Sequence, residues 1–299
     1  NAVYPSSILM TALIAKVAGS KEINLFFPSS NEEAKTLMLA TAYIAEVNTA
    51  YNFGGAQAIA AMAYGTKTIS KSDKIFGPGN SYVAEAKRQV FGDVGIDSFA
   101  GPSEVLIISD KIKDFKKLAA DLIAQAEHGE DSKCIFVHIG QEGISGLFQE
   151  LNDQVNIAPR SKTIKSALEK NSMFIQVKCM NEAIEINNLF SPEHLQIISK
   201  NYKTSLLKEI SAGAIFIGED NTAVLGDYAA GPSHVIPTNS AARFSSPVSV
   251  EDFLVRSSVT SIKSIKDQNI YNELLNNSIF LAELEGLYGH ANALKLRKK

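Results

Sequence analysis

The sequence predicts an α/β protein with mainly parallel sheets, and three observations support that prediction. Segments with helically spaced apolar residues alternate along the chain with short, nearly all-apolar segments rich in β-branched residues. Such strands are typical of parallel sheets covered on both faces by helices. Apolar residues make up 45% of the 299 residues, so the chain can bury the core of one large or two ordinary domains.

Charge and hydropathy argue against several classes of partner. The formal net charge is −3 and the pI is near 6.0, which indicates neither nucleic acid nor an anionic membrane. No apolar run approaches the roughly 18 residues of a membrane span, and no secretory segment opens the chain. We therefore expect a cytoplasmic protein, or the mature form of a protein of an organelle stroma.

The two cysteines and the first residue carry further expectations. Cys134 and Cys179 lie in apolar, strand-like runs and form no C-x-x-C pair, so both are predicted to be small buried residues in a reducing compartment. The chain starts at Asn1, without a methionine, in what reads as a loop before a helix. We expect it to be a fragment of a longer protein.

The first elements follow from caps and spacing. A helix is expected over 8–17, and a second helix starts at Asn31, a good N-cap followed by two glutamates. The sequence predicts a short strand over 74–76, a turn over 77–80 and a helix over 81–90.

The second half of the chain continues the alternation. Residues 104–109 read as a buried strand, and the helix after it begins near Phe115 and ends at Gly129 as its C′ residue. The remaining strands are expected at 135–139, 174–177, 195–198 and 214–217.

Composition divides the chain into three predicted parts. Residues 239–249 are rich in Ser and Ala and read as a linker, and 250–294 read as mostly helical. We predict one α/β domain over 1–102, a second over 103–248, and a helical C-terminal dimerisation segment over 249–299.

Two glycine turns precede helices, Phe-Gly-Gly-Ala-Gln at 53–57 and Phe-Gly-Pro-Gly-Asn at 76–80. Glycine lets a backbone come close to a phosphate, and a helix N-terminus supplies free N–H groups. Neither turn matches the full G-x-G-x-x-G pattern. Ordinary strand-to-helix turns and a dinucleotide site therefore both remain open.

Four of the five histidines stand in polar, turn-like surroundings, and each alone is more often structural than functional. Gln125 and His128 are three apart, on one side of the last turn of a helix, where two side chains can hold one metal ion. Glu193 and His194 precede a strand and can point into a cleft. His138, inside an apolar strand, reads as a satisfied structural histidine.

A metal site is one interpretation of these positions. Zinc takes three or four N, O or S ligands, which His128, Asp227 and His290 could supply. The spacing supports such a site only weakly and excludes a compact zinc finger. The fold would have to assemble any site from distant segments.

Taken together, eight stretches resemble the histidinol dehydrogenase family, and they run in the family's order from end to end. They are Tyr-Pro-Ser-Ser-Ile-Leu-Met (4–10), Phe-Gly-Gly-Ala-Gln-Ala-Ile-Ala-Ala (53–61), Asp-Lys-Ile-Phe-Gly-Pro-Gly-Asn (73–80), Ala-Gly-Pro-Ser-Glu-Val-Leu (100–106), Gln-Ala-Glu-His-Gly (125–129), Ser-Pro-Glu-His-Leu (191–195), Gly-Asp-Tyr-Ala-Ala-Gly-Pro-Ser-His-Val-Ile-Pro-Thr (226–238) and Glu-Gly-Leu-Tyr-Gly-His-Ala-Asn-Ala (285–293).

The resemblance implies two Rossmann-like domains, the first incomplete, and a small helical C-terminal piece. It implies oxidation of L-histidinol through the aldehyde to L-histidine, with two NAD in succession and one Zn²⁺ per subunit, as the last step of histidine biosynthesis. It also implies a homodimer whose C-terminal residues complete the partner's site. The family has an upstream stretch that helps to hold the cofactor, and this chain begins after it.

Site residues carry over by position from the matching stretches. Glu193 resembles the group that activates water, and His194 resembles the general base. The implied zinc ligands are Gln125, His128, Asp227 and His290. The implied substrate contacts are the four zinc ligands together with Ser103, His194, His234 and Glu285. The implied NAD contacts are Gln57 and Asn80.

Two other classes of function stay open beside the dehydrogenase. One is a zinc-dependent small-molecule binding protein without turnover, which the missing cofactor stretch suggests. The other is a zinc hydrolase with Glu193 as its base, which would leave the two glycine turns without a purpose.

Overall fold

The structure is a computed structural model that describes residues 3–99, 101–111, 114–199, 202–262, 265 and 267–298. Ala100, which opens the stretch 100–106, lies outside the described residues. The chain divides into two compact units, Asn1–Leu254 and Val255–Lys299.

The first unit opens with two helices and two short strands. The helices are α1 (Pro5–Val17) and α2 (Glu32–Ile44), and the strands β1 (Asn24–Phe26) and β2 (Thr49–Tyr51) pair in parallel. The side chain of Asn31 accepts a hydrogen bond from the N–H of Ala34, which confirms the predicted N-cap. Neither strand was predicted from the sequence, because three-residue strands carry almost no periodicity.

Two further helices and two further short strands follow. They are α3 (Ala56–Tyr64), β3 (Lys74–Ile75), α4 (Ser81–Val90) and β4 (Gly95–Ile96), with β3 and β4 parallel. Each predicted glycine turn runs into a helix, with Gly55 as N-cap of α3 and Asn80 as N-cap of α4.

A five-stranded parallel sheet forms the centre of the unit. Its strands, in the order β7-β6-β5-β8-β9, are β5 (Glu104–Ser109), β6 (Lys133–Ile139), β7 (Ser172–Val177), β8 (His194–Ile198) and β9 (Ala214–Ile217). The helices of this part are α5 (Phe115–Ala126), α6 (Ser145–Ile157), α7 (Ser161–Asn171), α8 (Met180–Phe190) and α9 (Ala223–Tyr228). This order is that of a doubly wound, Rossmann-like sheet, which confirms the predicted fold class.

The central strand β5 packs on both of its faces, because successive side chains point to opposite sides of a sheet. Ile107 packs with Leu122 of α5 in one core cluster, whereas Leu106 and Ile108 pack with Leu195 of β8 in another. All six residues of β5 are buried, which is why the strand is almost continuously apolar.

The predicted end of α5 is wrong. The helix ends at Ala126 with Glu127 as C-cap, so His128 and not Gly129 is the C′ residue. Gly129 has no positive φ; its N–H instead donates to the hydroxyl of Ser132, 3.1 Å away. The turn is therefore closed by a serine side chain and not by a left-handed glycine cap.

The prediction of mostly helical structure over 250–294 is only partly confirmed. Short 3₁₀ helices cover Thr204–Glu209, Ala241–Arg243 and Val250–Phe253, and α10 (Gln268–Leu284) and α11 (Tyr288–Lys295) end the chain. The described residues between 254 and 267 contain no α-helix, because Ser, Thr and Val dominate that stretch. The two compact units divide between Leu254 and Val255, a few residues after the predicted boundary at 248/249. Within the first unit, the rings of Phe253 and Phe76 stack with their centroids 4.1 Å apart.

Two side chains differ from their predicted surroundings. Cys179 is exposed, because β7 ends at Val177 and Cys179 is the N-cap of α8. His138 is buried in β6 as predicted, but among the described residues neither of its ring nitrogens has a hydrogen-bond partner. It is therefore not a satisfied histidine.

No helix in the described part of the chain is both long and apolar enough to cross a membrane.

The two cysteines are predicted to differ in reactivity. Burial raises the pKa of the Cys134 thiol to about 12, and its Sγ contacts the carbonyl of Leu122 at 3.4 Å. Since the thiolate is the nucleophile, a disulfide reagent should modify Cys179 in the native protein and Cys134 only after unfolding. Absorbance titration of the native and denatured chain measures this, with Cys179→Ser as control. Two equally fast thiols in the native chain would contradict the buried position of Cys134.

Candidate functional site

The candidate site lies at the amino ends of the two central strands of the five-stranded sheet. Helix α8 ends at Phe190, and its C-cap Ser191, with a left-handed φ of 44°, turns the chain sharply toward β8. The Ser191 hydroxyl donates to the carbonyl of Asn188, which fixes the turn. Glu193 and His194 follow at the start of the strand and are 8% and 5% exposed.

One residue of β5 holds both of these side chains. The backbone N–H of Glu104 donates to Oε2 of Glu193 at 2.8 Å, and its carbonyl lies 3.2 Å from Nδ1 of His194. Glu104 opens the strand, and β8 pairs with β5 from Val105 onward. The polar backbone groups of Glu104 are therefore available to side chains.

This contact fixes which nitrogen of His194 can act as a base. A carbonyl can only accept a hydrogen bond, so Nδ1 carries the proton and Nε2 keeps its lone pair. Nε2 lies 3.7 Å from Oδ1 of Asp227. The imidazole is thus oriented with its basic nitrogen toward the carboxylate of α9.

Burial shifts the pKa values of Glu193 and His194 in opposite directions. It lowers the pKa of His194, although the charge of Asp227 and the contact with Glu104 partly oppose this. Burial raises the pKa of Glu193 to about 8; the Glu104 N–H opposes the rise, and the charges of Glu104 and Asp227 add to it. At neutral pH the site therefore holds a neutral imidazole beside a largely protonated carboxyl.

Sequence reasoning missed Glu104 itself as a site residue. Its side chain is buried, and its carboxylate pairs with Nζ of Lys133, the first residue of β6, at 2.7 Å. Lys133 also contacts Oδ1 of Asn239 at 3.3 Å. An acidic residue at the start of an otherwise apolar strand was the available signal.

Gly213 allows the chain to pass close behind Glu193. A Cβ at this position would lie 2.6 Å from the carbonyl oxygen of Glu193. The pairing of β8 with β9 begins here, with the N–H of Gly213 on the carbonyl of Pro192 and that of Ala214 on Glu193. A side chain at position 213 would push the segment that carries Glu193 away from β9.

Gln125 and His128 approach from the end of α5. Gln125 is 5% exposed, and within the described part of the chain its Nε2 has no hydrogen-bond partner. His128 lies just beyond the helix, with Nδ1 3.1 Å from the carbonyl of Ala124. Nδ1 therefore carries the proton and Nε2 keeps the lone pair that a metal ion needs.

Asp227 and His234 belong to a segment tied to the start of the chain. Nδ1 of His234 lies 2.8 Å from the carbonyl of Asp227, and its Nε2 lies 3.2 Å from the hydroxyl of Ser7 in α1. The hydroxyl of Ser233 donates to the carbonyl of Met10. Both nitrogens of His234 are thus engaged, and Ser7, which sequence reasoning did not single out, positions it.

The donors at the site fit zinc in kind. The free imidazole nitrogen of His128 and the carboxylate of Asp227 are zinc ligands of ordinary type, and the unpartnered buried amide of Gln125 could add a carbonyl oxygen. Because the two ends of a carboxamide can be exchanged by turning it over, the oxygen of Gln125 can occupy the position of the unpartnered Nε2. No three His, Cys, Asp or Glu side chains among the described residues are arranged to hold a metal ion, however.

The remaining predicted positions lie in three places. Ser103 is half-buried beside Glu104, and its carbonyl accepts from the N–H of Lys133. Gln57 and Asn80 are exposed at the N-termini of α3 and α4, where Oδ1 of Asn80 accepts from the N–H of Val83. Glu285 and His290 belong to the second unit, as the C-cap of α10 and a residue of α11, so their predicted roles stay predictions.

Comparison with known proteins identifies relatives along the whole chain. Residues 1–298 match the family described as histidinol dehydrogenase. The "Histidinol dehydrogenase" of Oceanobacillus iheyensis is 44% identical over 300 residues, covering 100% of this chain and 69% of that relative. The protein of the same description from Neisseria gonorrhoeae is also 44% identical, with the same coverage. The crystal structure of histidinol dehydrogenase from Elizabethkingia anophelis superposes with a TM-score of 0.90 at 35% identity, covering 98% of this chain and 67% of that one.

Glu193→Gln is predicted to change how stability depends on pH. The pKa of Glu193 rises from an ordinary 4.5 to about 8 in the folded chain, so between these values the folded state binds more protons than the unfolded state. Stability from this group therefore falls as the pH rises. Glutamine keeps an acceptor for the Glu104 N–H and cannot ionise.

The free energy of unfolding, measured by urea at pH 5 and pH 8.5 without metal, should show Glu193→Gln gaining relative to the unsubstituted chain at the higher pH. The exposed Glu127→Gln serves as control, because it makes the same chemical change in solvent. An equal difference at both pH values would show that the carboxyl of Glu193 has an ordinary pKa.

Proposed function

The chain belongs to the histidinol dehydrogenase family, and on that premise we propose that it oxidises L-histidinol through L-histidinal to L-histidine with two NAD and one zinc ion. Family membership makes it an NAD-dependent dehydrogenase sequence of histidine biosynthesis. The observation that carries the proposal further is the anchoring of Glu193 and His194 on the backbone of Glu104. A cytoplasmic or stromal location belongs to the same proposal.

The residues that would hold the cofactors are those that carry the matching motifs. Gln125, His128, Asp227 and His290 would bind zinc, and Gln57 and Asn80 would contact NAD. Zinc would supply Lewis-acid binding of the substrate's amine and imidazole without any redox role, and NAD would accept hydride.

In the first oxidation, Nε2 of His194 would accept the proton of the substrate hydroxyl as hydride leaves the carbon. The nitrogen suits this role because its lone pair is free and burial keeps the imidazole neutral near pH 7. The negative charge of Asp227, whose Oδ1 lies 3.7 Å from Nε2, would then stabilise the imidazolium that forms. Ser103 and His234 would orient the substrate.

In the second oxidation, Glu193 would take a proton from water as the water oxygen adds to the aldehyde carbon. The imidazolium of His194 would return its proton to the aldehyde oxygen, which gives the hydrate and restores the neutral base. His194 would accept a hydroxyl proton of that hydrate as the second hydride leaves, which yields the acid. A carboxyl with a pKa of about 8 is ionised in only part of the population at neutral pH. It can still act as a base because such a pKa lies near the operating pH.

We further propose that the protein works as a homodimer in which Glu285 and His290 complete the partner's site. Large apolar side chains on α10 support this, since Phe280 and Leu284 are 61% and 68% exposed. Apolar side chains grouped on one helix commonly mark an interaction surface.

The experiment that tests the activity is absorbance detection of NADH from L-histidinol, NAD and added zinc. It compares the 299-residue chain with one extended by the family's upstream stretch. NADH from both chains, or from the extended chain alone, supports the dehydrogenase. Bound zinc and histidinol without NADH from either chain favours the non-catalytic binding protein.

Substitutions separate the two proposed roles in the extended chain. His194→Asn should reduce NADH formation by about 10²- to 10⁴-fold with either histidinol or histidinal, because the base is lost. Glu193→Gln should retain oxidation of histidinol and lose that of histidinal, so NADH per histidinol falls toward one. Glu127→Gln is the matched control, and full turnover by either site variant would refute the assigned role.

Removing zinc with a chelator is predicted to abolish activity and leave most of the fold. The proposed ligands in the first unit come from segments with their own buried clusters, such as that of Leu122 and Phe136. Circular dichroism with and without dipicolinate measures the fold, and NADH formation measures activity. Global unfolding on chelation would mean that the metal is structural.

A further inference from the structure

A buried ion pair lies in the first unit, away from the residues of the proposed chemistry. Nζ of Lys87 in α4 lies 2.5 Å from Oδ1 of Asp97, and each side chain is 2% exposed. Lys87 is among the largest fully buried side chains of the described chain. Taking two charges out of water is costly unless their remaining hydrogen-bonding groups are satisfied.

Two of the three further hydrogen bonds of the pair join it to one residue, Gly77. Nζ of Lys87 donates to the carbonyl of Gly77 at 2.6 Å, and Oδ2 of Asp97 accepts from the N–H of Gly77 at 2.7 Å. Oδ1 of Asp97 also accepts from the N–H of Ser98. The pair thus holds both polar backbone groups of a glycine whose φ is +117°, in the region that other residues rarely adopt.

Gly77 begins the loop that carries a proposed NAD contact. The loop ends at Asn80, whose side chain caps α4 through the N–H of Val83. Its first residue is therefore fixed by the ion pair and its last residue by the cap. Gly79 is packed so closely that a Cβ there would lie 2.4 Å from Val83.

We propose that Lys87 and Asp97 are positioning residues that hold loop 77–80 in the conformation that binds NAD. The inference rests on the proposed function, since it requires Asn80 to contact the cofactor. Of the four hydrogen bonds of the pair, one joins Lys87 to Asp97, one ends on the N–H of Ser98 and two end on Gly77. A structural role alone does not require that both backbone groups of one loop residue be held. A buried pair can usually be replaced by apolar residues of similar volume without loss of stability.

The test uses the extended, zinc-loaded chain and two binding measurements. The paired variant Lys87→Met/Asp97→Leu removes both charges together, so neither is left buried alone. NADH affinity is measured by fluorescence titration, and histidinol affinity by calorimetry without NAD. We expect the variant to melt close to the unsubstituted protein, to bind NADH about tenfold or more weakly, and to bind histidinol equally well.

Two outcomes with a folded variant would overturn the proposal. One is unchanged NADH affinity, which would make the pair dispensable for the loop. The other is an equal loss of affinity for NADH and histidinol, which would point to a general structural role. If the unsubstituted protein binds histidinol and not NADH, the proposed function fails at its cofactor, and this inference fails with it.

Conservative variants decide the question if the paired variant does not fold. Asp97→Asn keeps the volume and loses charge, so NADH affinity should fall; Lys87→Arg keeps the charge and should retain more affinity than Lys87→Met. Arg88→Gln is the matched control, because Arg88 is the next residue of α4 and pairs with Glu85 in solvent. Asp97→Asn with unchanged NADH affinity would refute the proposal.

Discussion

The candidate site depends on the two backbone groups of Glu104. The N–H of this residue holds Glu193 and its carbonyl orients His194, so a single peptide segment places a carboxyl and an imidazole side by side. These groups are available because β5 begins at Glu104 and its pairing with β8 starts at the next residue. Glu104 begins the central strand of the sheet, where β6 and β8 hold β5 from both sides, so the two side chains are fixed relative to each other.

Burial is the second constraint, and it acts on the two side chains in opposite directions. It lowers the pKa of His194 and raises that of Glu193, so both favour their neutral forms. Asp227 moderates the first effect and reinforces the second, because a negative charge stabilises imidazolium and destabilises a second carboxylate. The carboxylate of Glu104 also raises the pKa of Glu193, and it pairs with Nζ of Lys133 at 2.7 Å. Near neutral pH, Glu193 and His194 therefore carry little charge.

The location of the cluster is unusual for its sheet. Doubly wound sheets commonly bind ligands at the carboxyl ends of their strands. Here Glu193 and His194 lie at the amino ends of β5 and β8, and polar side chains of α5 and α9 extend the site there. Bonds from His234 to Ser7 and from Ser233 to Met10 bring α1 against the segment that follows α9. Residues from both ends of the first unit therefore meet at one place.

The sequence by itself determined the fold class, most of the longer elements, including β5, β9 and α4 to the residue, and the family through motifs spread along the chain. Helical and strand periodicity is a local property, so it can be read from neighbouring residues. Only the tertiary structure decided that Glu104 anchors the pair, that Lys87 and Asp97 clamp Gly77, that His138 lacks partners and that Cys179 is exposed. Each of these depends on burial, strand register or a contact between distant segments, and none of those quantities is encoded in local spacing.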